Sequence, residues 1–320
     1  MGDPPATAGG SDNWPIFPQV FFWVFSASLR LCVEKTVDGC AAVTPRIAIT
    51  GASGMLGREL SRVLADRNPT LWDRGTCDIT DAAATRRAVE AARPDVVIHL
   101  AAYTKVNDCQ RHPDLAMTVN SRGVRHVAEA VNAVGARLVY ISTDYVFDGR
   151  KRTPYREDDP VSPVNAYGRS KAAGEGNAAL VPGSLILRCG WLFGPGGRNF
   201  VEAIRDQIRQ GKQLRVVSDQ VGTPIWTGHL APTIVALVDA QVAGVVHAAA
   251  SGQCSWHEFA EAIVELSGSN VAVEAISTPP ADTPRPAYSV LSDARLCALG
   301  FGPLPHWREG LREYLRTPQT

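Results

Sequence analysis

From Arg46 onward the chain alternates short, unbroken apolar runs with longer amphipathic ones. The apolar runs are "RIAIT" (46–50), "DVVIHLAA" (95–102), "RLVYIST" (137–143) and "SLILRCGW" (184–191). They lack the every-second-residue polar pattern of a half-exposed strand, so they predict strands buried on both faces, as in a parallel sheet. Between them "LGRELSRVLADR" (56–67), "TVNSRGVRHVAEAVNAVG" (118–135, stopped by Gly135) and "NAYGRSKAAGEGNAALV" (165–181) carry helical spacing. This β-α alternation predicts an α/β fold with a doubly wound parallel sheet, whose ligand crevice lies at the C-terminal ends of the strands.

After Trp191 the rhythm breaks. A loop (192–200), a helix (201–212) and a strand-and-loop segment (214–226) precede a return to the main sheet at about 227–250. The remainder, with a helix near 255–268, a Pro-rich stretch at 279–286 and a terminal helix, predicts a small α/β lobe over the open end of the sheet. The expected domains are thus 44–192 plus 227–250 for the sheet and 193–226 plus 251–320 for the lobe. Residues 1–43 differ: a Pro/Gly/Ser-rich start reads as disordered. The apolar run Val20–Leu29 that follows is short of the roughly 20 residues a membrane span needs and lacks the basic lead of a signal peptide. The segment reads as an appendage, or as sequence upstream of a true start at Val43.

Composition narrows the chemistry. The 32 basic and 32 acidic residues cancel, which gives no electrostatic case for nucleic acid or an acidic membrane. Seven scattered cysteines without a C-x-x-C pair read as reduced thiols in a cytoplasmic protein.

Gly51, Gly54 and Gly57 form G-x-x-G-x-x-G between the first strand and first helix. One glycine permits the tight turn, one lets a pyrophosphate approach the backbone, and one lets helix and strand pack closely. The helix N-terminus then offers N–H groups to phosphate. Asp73, 22 residues after Gly51, would accept from an adenine ribose and favour NADH; Arg74 beside it would meet a 2′-phosphate and favour NADPH. The pair leaves that preference open, and a solvated loop charge is the plainer reading of Arg74. Tyr167 and Lys171 are four residues apart on a predicted helix and share a face. An ammonium nearby stabilises phenolate and lowers a tyrosine pKa from about 10, making it a usable acid. Lysine is scarce here, five against 27 arginines, and its compact charge suits that task and can also hold a ribose. Thr143, at the end of a predicted strand, can polarise a carbonyl.

The glycine spacing and the Y-x-x-x-K resemble the extended short-chain dehydrogenase/reductase superfamily. Five blocks are more diagnostic: "ISTDYVFDG" (141–149), "PYREDDPVSPVNAYGRSKAAGE" (154–175), "RCGWLFGPGGRNFV" (188–201), "VVSDQVGTP" (216–224) and "RPAYSVL" (285–291). Together they resemble the dTDP-4-dehydrorhamnose reductase family over about residues 45–315. That resemblance implies a Rossmann fold and NADPH- or NADH-dependent reduction of the C4 ketone of dTDP-4-dehydro-L-rhamnose. It makes Tyr167 the proton donor, Lys171 its electrostatic partner and ribose ligand, Thr143 the carbonyl partner, and Asn120 a support for the lysine through water. It implies that Ser53, Met55 and Leu56 join the glycines around the cofactor, with Asp78-Ile79 beside the adenine. Ala101, Ala102 and Tyr103, at the end of the fourth strand, would run along the cofactor. It assigns Thr104, Val106, Asp144, Tyr145 and Trp191 to the sugar, and Asn199 and Arg285 to the nucleotide diphosphate; a core aromatic and a surface arginine are the plainer readings of Trp191 and Arg285. The implied partner is the nucleotide sugar, with a homodimer compatible with it. Magnesium, a feature of some members, finds no acidic cluster, Glu59 alone matching, so no metal ligands are expected. The sequence departs from the family pattern at Asn107, Cys189, Ile225 and His229. Two other readings stand beside this one. One is a related NDP-4-keto-sugar reductase or epimerase. The other is a non-catalytic subunit similar to the regulatory β-subunit of methionine adenosyltransferase, against which "GW", "GGRNF" and "DQVGTP" argue.

Overall fold

The structure is a computed structural model that describes residues 44–280 and 283–317. The N-terminal extension, its apolar run and the proposed start at Val43 lie outside the described residues. The continuous apolar runs form the expected strands: β1 (Ile47–Thr50), β2 (Thr70–Trp72), β3 (Val96–His99), β4 (Arg137–Thr143) and β5 (Leu185–Cys189). The helices α1 (Met55–Val63), α2 (Ala82–Ala92), α3 (Val106–Arg111), α4 (Pro113–Met117), α5 (Gly123–Ala133) and α6 (Ala166–Ala178) connect them. Beyond β5 come β6 (Leu192–Phe193), α7 (Phe200–Arg209), β7 (Leu214–Val217), β8 (Val221–Gly222), β9 (Ile225–Trp226), α8 (Thr227–Asp239), β10 (Gly244–His247) and α9 (Trp256–Leu266).

Six strands make one parallel sheet in the order β10-β5-β4-β3-β1-β2. Side chains alternate across it, which explains why both faces had to be apolar. Ile47, Ile49, Val96, Ile98, Val139, Leu185 and Leu187 enter one core, together with the residues of α8, α9 and the C-terminal helix Trp307–Arg316. Ala48, Val97, Leu138, Tyr140 and Ile186 enter the other, under α5. The chain leaves β1 for β2 on one side and returns to β3 on the other, so the strand order reverses between β1 and β3. A crevice opens there. Away from this sheet, Val273–Ile276 pairs in parallel with β7, and the other short pairings are confined to two residues each, as between Cys254–Ser255 and β8.

Two expectations are corrected. The "HLAAY" segment ends the third strand in chain order, not the fourth, because residues 73–81 make turns closed by their own aspartates and leave no room for another strand. The helix expected over 118–135 opens with a wide π turn at Thr118–Arg122 before α5 begins; that turn buries Asn120 completely.

Candidate active site

The glycine turn meets the demands read from its spacing. Gly51 has φ +68° and its Cα faces β3 so closely that a Cβ would lie 2.8 Å from Ala101 N. A Cβ on Gly57 would lie 2.4 Å from Gly51 O, so this glycine lets α1 start against the turn. Gly54 is the N-cap of α1, and no side chain caps the first amides. These amides open onto a cleft of about 880 Å³ that runs along the C-terminal ends of the sheet. Ser53, Met55 and Leu56 line it at the α1 end. Asp73, Arg74, Asp78 and Ile79 flank it beyond β2, and Ala101, Ala102, Tyr103, Thr104 and Val106 flank it after β3. Thr143, Asp144, Tyr145, Tyr167, Lys171 and Trp191 close the other end. An uncapped helix N-terminus, a glycine cradle that side chains would fill and an elongated cleft fit a dinucleotide.

At the β2 end of that cleft, Asp73 Oδ1 accepts from Gly75 N (2.9 Å), Thr76 N (3.0 Å) and Thr76 Oγ1 (3.0 Å). The hydrogen bonds from Thr76 hold its carboxyl below the usual range. Asp78 Oδ1 likewise accepts from Thr80 N and Oγ1. Arg74 is 89% exposed with its Nε 3.8 Å from Asp78, so its guanidinium is available to an anion.

At the other end, Thr143 leaves β4 next to α6. Its Oγ1 donates to Asp144 Oδ1 at 3.0 Å and accepts from Tyr145 N at 3.2 Å. Tyr167 begins the exposed-to-buried face of α6, which Asn165 caps by accepting from Gly168 N at 2.8 Å. Burial of the phenol hydroxyl pushes its pKa above the ordinary value, while a hydrogen bond with Thr143 pulls the other way. The expected depression by Lys171 is therefore not a property of the protein alone. Lys171 is 3% exposed; its Nζ donates to Ile141 O at 2.7 Å and lies 4.1 Å from the centre of the Tyr140 ring. Burial brings it down to about 7, with the charge of Glu175 opposing.

Asn120 reaches this region through the backbone. Its Oδ1 accepts from Tyr103 N (2.7 Å), and its Nδ2 donates to Tyr103 O (2.9 Å) and Ser170 Oγ (3.0 Å). It pins the segment after β3 to α6, next to Lys171. Asp144 is 2% exposed, and burial lifts it to about 6 despite the hydrogen bond from Thr143 and the nearby Ser289 hydroxyl. Room for it exists because residue 190 is glycine: a Cβ there would lie 2.6 Å from Asp144 Cγ.

Trp191 adopts φ +47°, and its indole stacks on Trp256 at 3.5 Å with a 3° interplanar angle. Trp256 and Arg198 also line the cleft; sequence reasoning missed both, because nothing local to residues 198 or 256 marks them as cleft-facing. Arg285 and Asn199 stand outside the lining. Arg285 donates to Tyr145 OH (3.2 Å) and to Asn107 Oδ1 (3.0 Å), bridging to the cleft rim. Asn199 caps α7 by accepting from Glu202 N (3.1 Å) and donates to Gly194 O (2.8 Å), so both ends of its amide hold the 194–199 loop. Of the other departures from the family pattern, Cys189 is a cleft wall whose thiol burial pushes up to about 12. Ile225 is core, and His229 pairs with Glu313 at 3.0 Å. Glu59 accepts from Arg62 at 2.6 Å, and among the described residues no cluster of three metal-ligating side chains occurs. Among them also, no helix is long and apolar enough to cross a membrane.

A parallel nucleotide-binding sheet with a Thr-Tyr-Lys group at its C-terminal edge defines an oxidoreductase of the extended short-chain dehydrogenase/reductase type. Residues 45–319 match the family described as RmlD substrate binding domain, and the chain belongs to that family. It is 44% identical over 281 residues to a dTDP-4-dehydrorhamnose reductase of Streptomyces griseus, covering 84% of this chain and 92% of the relative. It is 37% identical to a dTDP-4-keto-6-deoxy-D-glucose reductase of Streptomyces niveus, covering 85% and 96%. Among solved structures, the dTDP-4-dehydrorhamnose reductase of Bacillus anthracis in complex with NADP superposes with a TM-score of 0.82 at 37% identity, covering 85% of this chain and 99% of that one.

Proposed function

We propose that the protein reduces the C4 carbonyl of dTDP-4-dehydro-L-rhamnose to give dTDP-L-rhamnose, using NADPH. The observation that carries this reading is the Thr143–Tyr167 pair at the end of β4 with buried Lys171 behind it, within one cleft that also holds the glycine turn. The names of the relatives, and the NADP bound by the Bacillus anthracis structure, support the substrate class and the cofactor.

When bound, the nicotinamide supplies the hydride. The residues of this chain do the rest. The uncapped start of α1 and the glycine turn hold the pyrophosphate. Arg74 pairs with the 2′-phosphate, a charge-assisted contact that NADH lacks. Thr143 turns its hydroxyl to the ketone oxygen and stabilises the charge that develops there. Tyr167 donates its proton to that oxygen; as a half-buried phenol with a raised pKa it holds the proton firmly until the alkoxide, a stronger base, forms. Lys171 stabilises the resulting phenolate and contacts the ribose. Residues 193–226 and 251–320 form the sugar-nucleotide side, with Trp191 backed by Trp256 as an apolar wall. Arg285 lies at the rim, where a diphosphate would meet it.

A sibling reading is favoured by Cys189, which lines the cleft, and by Asn107, which holds Arg285 at its rim, where the family commonly has a threonine and an acid: a dTDP-4-keto-sugar reductase acting on a different hexose, as the Streptomyces niveus relative is named. The test is a comparison of kcat/KM for dTDP-4-dehydro-L-rhamnose and for its unepimerised dTDP-4-keto-6-deoxyglucose precursor, with the reduced sugar identified by mass and NMR. A preference for the former, giving the rhamno product, supports the first reading; a preference for the precursor moves the assignment to the second. Binding of NADPH without reduction of either sugar would point to the non-catalytic subunit reading.

A further inference from the structure

Behind the candidate site lies a buried ion pair that the chemistry above leaves unused. Glu175 follows Lys171 by four residues on α6, so Tyr167, Lys171 and Glu175 share one helix face. Its carboxylate accepts from Arg188 Nε (2.9 Å) and Nη2 (2.8 Å), and from Ser142 Oγ (2.5 Å). Glu175 is 7% and Arg188 3% exposed. Ser142 and Arg188 are register partners on β4 and β5, and each immediately precedes a cleft residue, Thr143 and Cys189. The outer side of Arg188 meets His247 Nε2 of β10 and Glu157 O, both at 3.4 Å. Exchanging a buried ion pair for apolar groups is often neutral or stabilising, so stability alone does not account for this one.

Four titratable groups around Lys171 are held neutral: His99, Tyr140, Cys189 and Tyr167. From β3, His99 is held uncharged by burial, down to about 3. From β4, the Tyr140 phenol is pushed well up, and from β5 so is the Cys189 thiol. Tyr167, on α6 itself, is also raised, and Asp144 across the cleft bears on Tyr167. Glu175, at the negative end of the ion pair, is the charge that opposes desolvation of the lysine.

We propose that Glu175 is a positioning residue for the proton-handling pair. Anchored to β4 and β5 through Ser142 and Arg188, it seats α6 against those strands and supplies the buried negative charge that keeps the Lys171 amino group protonated. This rests on the reading of Lys171 as the charged partner of Tyr167.

Because the chain has five lysines, selective 13Cε-lysine labelling makes an NMR titration practical, with the Lys171→Arg variant identifying the signal. Glu175→Gln keeps size and an acceptor for Ser142 but leaves Arg188 buried without a counter-charge. The Glu175→Gln/Arg188→Met double variant removes both charges and guards against misfolding. In either folded variant the Lys171 midpoint is expected to fall by about one pH unit or more. NADPH affinity at pH 5, where the lysine stays mostly protonated even with its midpoint lowered to about 6, should change less than kcat at pH 8. An unchanged midpoint in the folded double variant overturns the proposal. The titration needs no sugar, so a wild-type protein that reduces neither nucleotide sugar counts against the function proposed above and leaves this result to be read separately.

Discussion

The Nζ of Lys171 donates to the backbone carbonyl of Ile141 at 2.7 Å. The lysine is thus anchored to β4, two residues before Thr143, and joins α6 to that strand. The Thr143 hydroxyl, rather than the Lys171 ammonium, is the polar group that lowers the Tyr167 pKa against burial. This geometry makes a definite prediction for pH. Lys171 has a folded pKa of about 7 against an ordinary value of 10.5, so the free enzyme loses the ammonium as pH rises through about 7. The kcat/KM for the nucleotide sugar should fall along that limb, as a pH-rate profile would reveal.

The same shift has a sign for stability. Between about pH 7 and 10.5 the unfolded chain binds a proton at this lysine that the folded protein does not, so stability rises with pH across that window. Below pH 7 the folded protein carries the full cost of the buried ammonium. Lys171→Met should therefore raise Tm most at about pH 6, with the gain shrinking toward pH 10, while abolishing turnover. Thermal melts at the two pH values check this.

Thr143→Val removes the hydroxyl proposed to meet the ketone, which also bears on Tyr167. Loss of one such donor costs about 100- to 1,000-fold in kcat, whereas Thr143→Ser should retain most activity. Steady-state kinetics on the two variants separate a lost donor from a lost shape.

Arg74→Ala should raise KM for NADPH about tenfold, the loss of one charge-assisted contact, and leave NADH nearly untouched. Equal effects on both cofactors would mean that Arg74 is only a solvated loop charge.

Gly190→Ala would drive a methyl into the carboxyl of Asp144, 2.6 Å from its Cγ. Overpacking of this kind costs about 1–3 kcal/mol, readable as a lower midpoint in denaturant titration, and it should also weaken sugar binding.

What the chain reveals locally differs from what it leaves to tertiary contacts. The unbroken apolar runs announce strands buried on both faces, and the four-residue spacing of Tyr167 and Lys171 places them on one helical face. The glycine turn was legible because its spacing follows from one backbone geometry. By contrast, Asn120 reads as a polar helix residue until the π turn aims it at the Tyr103 backbone, 17 positions away. Trp256 becomes a cleft wall only by stacking on Trp191. Arg188 finds Glu175 because β4 and β5 fix its register next to Ser142. The role of Asn199 as a helix cap is legible in the sequence, since an asparagine directly before an apolar helical run is a common N-cap, whereas the family resemblance assigns it to the ligand.

The central claim is that Tyr167 is the proton donor of a nucleotide-sugar reductase. The most direct measurement follows NADPH oxidation at 340 nm with enzymatically generated dTDP-4-dehydro-L-rhamnose, for the wild-type protein and for Tyr167→Phe, alongside NADPH affinity by fluorescence. The account predicts turnover by the wild type, near-complete loss of kcat in the variant, and cofactor affinity within about twofold for both. Substantial turnover by Tyr167→Phe, or none by folded, NADPH-binding wild-type protein, would contradict it.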